Sequence, residues 1–269
     1  MDTRWPSKGP TRGRIVLLHG LNALAQTWWR VGPDLAERGW DVTALDLPGH
    51  GDQPPLTRPL AVDELADGVV HRLDGPVDVL LGHSLGAVVA LAVALRRPAS
   101  FGGLVLEEPS GREAMTPAER ETFADRLLAD AALARRDRRA LEQRDRTTNP
   151  TWAPADVTHA VDGVLRADAE HLAAALRRGW GWNLSGLFES LRHRRDVPVL
   201  VLAAPEGRTA LQGVHRQTVR AQVPPERFVI LDGNHCLHRD LPEEWVAHVD
   251  RFAAETAGRS RILAGRSDP

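Results

Sequence analysis

The chain is short of several things, and each shortage removes a class of function. One of its 269 residues is a cysteine, Cys236, so no intrachain disulfide can form and the fold does not depend on oxidising conditions. Lysine is nearly absent. Lys8 stands alone and arginine carries the positive charge, a compositional bias with no mechanistic content. The formal net charge is −2, without the basic surplus that a general polyanion binder needs. Even the run "RRDRR" at 135–139 holds an acid and has others close by, so it reads as a solvated helix face rather than a nucleic-acid patch. No stretch approaches the ~20 apolar residues of a membrane span. The first residues, "MDTRWPSKGPTRGR", lack the apolar core of a signal peptide. The expectation is a soluble cytoplasmic protein with neither a nucleic-acid nor a membrane partner.

What is present is alternation. Hydrophobic residues make up 42% of the chain, much of them in short runs. "RIVLLHG" (14–20), "WDVTALD" (40–46), "PVDVLLG" (76–82), "GGLVLEE" (102–108), "VPVLVLAA" (197–204) and "RFVILDG" (227–233) read as buried strands bounded by Gly, Pro or Asp. Helical patterns lie between most of them, at 26–38, 62–73, 85–96, 208–221 and 242–256. This predicts an α/β fold, a mostly parallel doubly wound sheet with helices on both faces. Ligands of such sheets bind beyond the carboxyl ends of the strands. From Ser110 to Asp196 no strand is evident, and "TPAE" opens a helix with Thr116 as cap, Pro117 in the first turn and Glu119 reaching back. The expected organisation is a core of residues 1–109 and 197–269, with a helical cap, 110–196, inserted between two strands. "AGRSRILAGRSDP" (257–269) reads as a loosely ordered tail.

"LLGHSLGAVV" (81–90) carries the chemistry. Ser84 stands in G-x-S-x-G between the strand ending at 81 and the helix 85–96. That context calls for a sharp strand-to-helix turn, with Gly82 and Gly86 leaving room for it. The hydroxyl then stands at a helix N-terminus, whose partial positive charge favours a developing oxyanion. The rival reading of Ser84 is a simple helix N-cap.

Four stretches, "LLHGLNA" (17–23), "LDLPGHG" (45–51), "GHSLGA" (82–87) and "LDGNHCLH" (231–238), together resemble serine esterases of the α/β-hydrolase superfamily, from "IVLLHG" to "LPEEW". The resemblance implies Ser84 as nucleophile and His235, after the last strand, as base, with His238 the alternative. It implies an oxyanion hole made by the backbone N–H groups of Leu21 and Leu85. His19 would hold the "HG" loop by hydrogen bonding, and His50 would be a turn residue. It also implies an acid, and here the chain departs from the common pattern. Where the family commonly shows Gly-x-x-Asp the chain reads "AAPEGRTA": the Asp position falls on Gly207, and Glu206 is one residue off. The other location is the end of the strand after the nucleophile helix, "LVLEEPSG". Aligned from Ser84, the zearalenone-lactonase-like branch places its glutamate on Glu108. Adjacent strand residues face opposite ways, so only one of Glu107 and Glu108 can face His235. Glu108 is preferred, and Glu206 and Glu107 stay open.

Trp152, Trp180 and Trp182 fall in the expected cap. They read either as walls for a bulky apolar substrate or as packing between cap and core. Trp28 and Trp29 read as helix-face core. A metal held by His235, Cys236 and His238 is set aside, because no carboxylate with ligand spacing joins them, and Cys236 reads as a small buried apolar residue. The resulting expectation is a carboxylic ester hydrolase, with lactones a specific possibility. It would work through an acyl-enzyme on Ser84 with no metal or organic cofactor. The rivals are a lyase that uses Ser–His as acid and base, and a non-catalytic binder on the same scaffold.

Overall fold

The computed structural model describes residues 2–97, 100–110, 115–179, 183–192 and 197–259. Its centre is a seven-stranded sheet in the order β1-β3-β2-β4-β5-β6-β7. The strands are β1 (Thr3–Trp5), β2 (Gly13–Leu18), β3 (Trp40–Leu45), β4 (Val77–His83), β5 (Phe101–Glu107), β6 (Val199–Ala203) and β7 (Phe228–Ile230). Strands β2 to β7 pair in parallel, and β1 closes one edge antiparallel to β3. β4 and β5 are buried along their whole length, which is why they read as unbroken apolar runs.

Strand alternation sorts the core into two layers. Val16, Leu18, Leu80, Leu104 and Leu106 pack on one face, beneath α2 (Val62–Val70) and α3 (Leu85–Arg96). Ile15, Leu17, Val79, Leu81 and Val105 pack on the other, with α1 (Val31–Glu37), Trp28, Trp40 and Trp245. The sheet is thus covered on both faces, the doubly wound α/β arrangement.

Three local features differ from the sequence reading. β1 was not anticipated; three residues, "TRW", carry too little pattern to read as a strand. The pattern at 26–38 divides into a 3₁₀ turn, Ala25–Trp28, and α1, which places Pro33 in its first turn. A helix running through from 26 would bury Pro33 in its interior, where the ring removes a hydrogen bond and clashes with the preceding turn. The pattern at 208–221 begins as a helix only at Gly213 (α9, Gly213–Gln222), because the backbone at 209–211 is engaged elsewhere, as described below.

Between β5 and β6 the described residues form α4 (Pro117–Arg136), α5 (Arg138–Thr148), α6 (Pro154–Arg166), α7 (Ala169–Arg177) and α8 (Leu184–Arg192). α4 starts on the expected capping box: the Thr116 hydroxyl accepts from the Glu119 N–H at 3.3 Å, and the Glu119 carboxylate accepts from the Thr116 N–H at 2.7 Å. α4 to α7 pack chiefly on one another, whereas α8 packs chiefly on α3 and α9. After β7 come a short turn, α10 (Leu237–Asp240), and the last helix, α11 (Pro242–Thr256). No helix among the described residues is long and apolar enough to cross a membrane.

Candidate active site

Ser84 sits between β4 and α3 at φ 54° and ψ −114°, a strained conformation for a residue with a side chain. Its N–H donates to the Glu107 carbonyl at 2.9 Å, which ties the turn to the neighbouring strand. The flanking glycines are sterically required. A Cβ on Gly82 would run into the backbone of Gly86, and one on Gly86 would run into the carbonyls of Leu18 and His19. The loop after β2 lies alongside. Buried His19 donates from Nδ1 to the Gly20 carbonyl at 2.7 Å and accepts at Nε2 from the Leu47 N–H at 3.0 Å, so it braces the loop. His50 accepts from the Asn22 N–H at 3.3 Å. Burial lowers the pKa of both rings, His19 to about 4 and His50 to about 3, so they remain neutral. Leu21 and Leu85 line the same cavity as Ser84, and their amides have no acceptor among the described residues.

Glu108 is where β5 ends, with φ 49°, and its side chain is fully buried. Its carboxylate accepts from the Ala204 N–H (2.7 Å), the Thr209 hydroxyl (2.7 Å), the Ala210 N–H (2.6 Å) and His235 Nδ1 (3.2 Å). Burial alone would raise its pKa. The hydrogen bond and charge of His235, with Thr209 and Ala204, more than offset this, and the group sits below the usual glutamate value. An ionised carboxylate on Nδ1 puts the imidazole proton there and leaves Nε2 with its lone pair. Glu206 is elsewhere: its side chain is 87% exposed and faces Arg216 at 3.9 Å.

Glu107 points to the opposite side of the strand and meets the second histidine. It accepts from His238 Nδ1 at 2.8 Å, from the His238 N–H at 3.1 Å and from Trp245 Nε1 at 3.0 Å. His238 Nε2 then accepts from the Thr27 hydroxyl at 3.0 Å, and Thr27 in turn accepts from Arg239 Nη2 at 2.7 Å. Burial raises the Glu107 pKa and pushes His238 well below the usual imidazole value. The expectation that no carboxylate joins this histidine group is therefore corrected, because the fold brings Glu107 and Glu108 to it from a distant strand. His83, Glu107 and His238 offer ligand atoms within 4.8 Å of one another. His238 uses both ring nitrogens in hydrogen bonds, and His83 Nε2 donates to the His235 carbonyl at 2.9 Å, so the cluster is satisfied as a hydrogen-bonded network.

Ser84 and His235 line one cavity of about 320 Å³. Its walls are mostly apolar: Leu21 and Leu85 from the core, Phe123, Leu127, Val164 and Leu176 from the inserted helices. Trp152 also lines it, with Nε1 donating to Asp240 at 3.1 Å. Cys236 borders the cavity, half-buried rather than packed away, and burial pushes its thiol up to about 12. Trp180 and Trp182 lie outside the described residues.

A family model, the alpha/beta hydrolase family, matches residues 15–249. The chain belongs to the alpha/beta hydrolase family. Among curated proteins it is 34% identical over 179 residues to a pimeloyl-[acyl-carrier protein] methyl ester esterase of Neisseria meningitidis serogroup B, covering 59% of this chain and 68% of that one. It is 33% identical over 187 residues to lipase LipV of Mycobacterium tuberculosis, covering 68% and 65%. Among solved structures, the enol-lactonase from Burkholderia xenovorans LB400 superposes with a TM-score of 0.71 at 20% identity, covering 94% of this chain and 95% of that one, a likeness of fold.

Within this alpha/beta hydrolase, sequence reasoning missed the second Glu–His pair, the His83 tie to the His235 loop, and the cavity residues on α4 and α7. Phe123 and Leu127 had a readable signal, an i, i+4 apolar pair that continues to Ala131 and Ala134 along one side of α4. Arg239, which also lines the cavity, had none: it is one of many arginines and is distinguished only by its tertiary burial.

Proposed function

We propose that the protein is a serine hydrolase that cleaves carboxylic esters through an acyl-enzyme on Ser84. The observation that carries this is the strained turn holding Ser84 in the cavity shared with His235, whose Nδ1 rests on a buried, ionised Glu108. His235 Nε2 takes the Ser84 proton as Oγ attacks the ester carbonyl, and the unoccupied amides of Leu21 and Leu85 receive the oxyanion. The imidazolium, stabilised by Glu108, returns its proton to the leaving alkoxide. Water then enters by the same route and releases the acid. The relatives whose names specify esterase and lipase support the reaction class. The acid at the end of β5 is the feature shared with the zearalenone-lactonase-like branch, and it supports lactones within the same reading. The apolar walls of the cavity, with Trp152, favour an apolar acyl or alkoxy group. The division into a core (1–109, 197–269) and a helical cap (110–196) belongs to this proposal; the packing of α4 to α7 chiefly on one another supports it, and α8, which packs chiefly on α3 and α9, would sit with the core.

The test is covalent labelling. A fluorophosphonate should add to Ser84, and Ser84→Ala should lose on the order of 10⁶ in rate, because nucleophile and base act as one unit. Measurable ester hydrolysis with no adduct on Ser84 in intact-mass spectra would overturn the acyl-enzyme and favour a lyase-type use of the Ser–His pair. No turnover of any ester or lactone would favour a binder.

A further inference from the structure

A fully satisfied arginine at this depth would have a carboxylate beside it, and Arg239 does not. It is 4% exposed and lines the cavity that holds Ser84 and His235. A guanidinium has five N–H donors. Here Nε (3.2 Å) and Nη2 (2.7 Å) both go to one neutral acceptor, the Thr27 hydroxyl. The guanidinium lies over the Trp152 ring at 4.4 Å. Among the described residues no carboxylate comes within ion-pair distance of it. The acids that share its surroundings are held by other donors. Asp240 accepts from Thr151, Trp152 and the Asn234 N–H, Asp156 accepts from Trp29 and the Ala153 N–H, and Asp145 faces Arg144 at 3.4 Å.

Burying a cation without a counter-ion is costly, and proteins keep such groups where a ligand supplies the missing charge. The guanidinium is also preorganised. Thr27 fixes one edge, the Trp152 face fixes its plane, and Asp240 fixes Trp152. The remaining donors, Nη1 and half of Nη2, have no acceptor among the described residues, and the side chain lines the cavity. That is the fork a carboxylate accepts in bidentate fashion. A doubly charged phosphate fits less well, since the other lining cations, Arg126 and Arg144, already face the lining acids Asp130 and Asp145, which leaves Arg239 alone to meet it.

Resting on the serine-hydrolase reading, we propose that Arg239 binds a free carboxylate of the substrate. The preferred ester or lactone then carries an anionic group at the end remote from the carbonyl that Ser84 attacks, with an apolar span between the two.

The experiment compares p-nitrophenyl hemi-glutarate with p-nitrophenyl pentanoate, which match in length and differ by the terminal carboxylate. Wild type should favour the hemi-ester in kcat/KM by about 10- to 100-fold, the worth of a charge-assisted hydrogen-bonded pair. Arg239→Met should collapse that ratio, and Arg239→Lys should restore part of it. Should the variants fail to fold, wild type still decides: glutaramate, which carries one terminal carboxylate, should inhibit hydrolysis of a neutral ester, and bind by calorimetry, at least tenfold more tightly than neutral pentanamide. A ratio near one in wild type, a ratio unmoved by Arg239→Met, or equal binding of glutaramate and pentanamide would overturn the proposal. Failure of the hydrolase reading looks different. Ser84 would then take no fluorophosphonate label and no p-nitrophenol would be released, while calorimetry with glutaramate and pentanamide would still test Arg239.

Discussion

Replacing Glu108 by glutamine changes one oxygen to an NH₂ group in a place where every neighbour is a donor. If the amide nitrogen faces the His235 side, it opposes the Ala210 N–H and His235 Nδ1; if it faces the other way, it opposes the Ala204 N–H and the Thr209 hydroxyl. The second orientation is cheaper, since the Thr209 hydroxyl can rotate and accept, leaving one backbone N–H unpaired at a cost of about 1–3 kcal/mol. The melting temperature should drop by roughly 2–10 °C, and the chain should remain folded. Activity should suffer far more. The glutamine oxygen still meets Nδ1, but the negative charge that stabilises the imidazolium is gone, and kcat/KM should fall roughly 10³- to 10⁴-fold. Glu206→Gln should stay within about tenfold, because an exposed carboxylate contributes little. The assay is hydrolysis of a neutral p-nitrophenyl ester, with the melting temperature measured on the same preparations. A folded Glu108→Gln protein within tenfold of wild type would refute the assignment of Glu108 as the acid, and loss of activity in Glu206→Gln would move the role there.

The two adjacent glutamates should show opposite pH linkage. Glu108 has a lowered pKa, so its stabilisation is present above the unfolded value of 4.5 and lost as pH falls through the folded value; urea titrations should show a shallower acid limb in Glu108→Gln. Glu107 has a raised pKa, so its contribution is present below 4.5 and lost as pH rises through the folded value, and Glu107→Gln should destabilise more at low pH than at neutrality. His19 and His50, depressed from 6.5 to about 4 and about 3, stabilise the fold above pH 6.5; from there down to pH 4 they should together steepen the loss of stability by about 3 kcal/mol per pH unit, and His50→Asn should relieve part of that slope in the same titrations. Cys236, with its thiol pushed up to about 12, should be alkylated by iodoacetamide at pH 8 far more slowly than a free cysteine, and rapid labelling would show a thiolate that this environment should not support.

Much of the fold was legible because parallel strands covered on both faces must be apolar along their length, as β4 and β5 are. Ser84 was legible because its turn is encoded locally, by two glycines whose hydrogens are the only substituents the packing tolerates. The alternation of Glu107 and Glu108 was legible too, as a consequence of strand geometry. Their partners were not. Which histidine each glutamate meets depends on how the turn after β7 lies across the end of β5, some 130 residues away in sequence. Arg239 was illegible for the same reason. Nothing local distinguishes a buried arginine from the solvated ones, and only the packing of α10 between Thr27 and Trp152 makes it unusual.

The two Glu–His pairs are chemically alike and lie one residue apart on the same strand, so their difference in role must come from their surroundings. The inner pair, Glu107 with His238, is sealed beneath Trp28 and Trp245, and burial disfavours charge on both partners. Such a pair can fix the geometry of the α10 turn, but burial disfavours the imidazolium that a base must form. The outer pair, Glu108 with His235, has a carboxylate held ionised by four donors and an imidazole that is 34% exposed, open to the cavity. Only there can a proton arrive on Nε2 and find a ready counter-charge behind it. The inner pair supports the outer one through the chain. His238 and His235 share one turn, and His83, next to Ser84, holds the His235 carbonyl. Loosening the inner pair should therefore widen the approach of His235 to Ser84 without touching the reacting atoms, and because His238 also holds the Thr27 hydroxyl that fixes Arg239, its cost should fall both on kcat and on the binding of a carboxylate at Arg239.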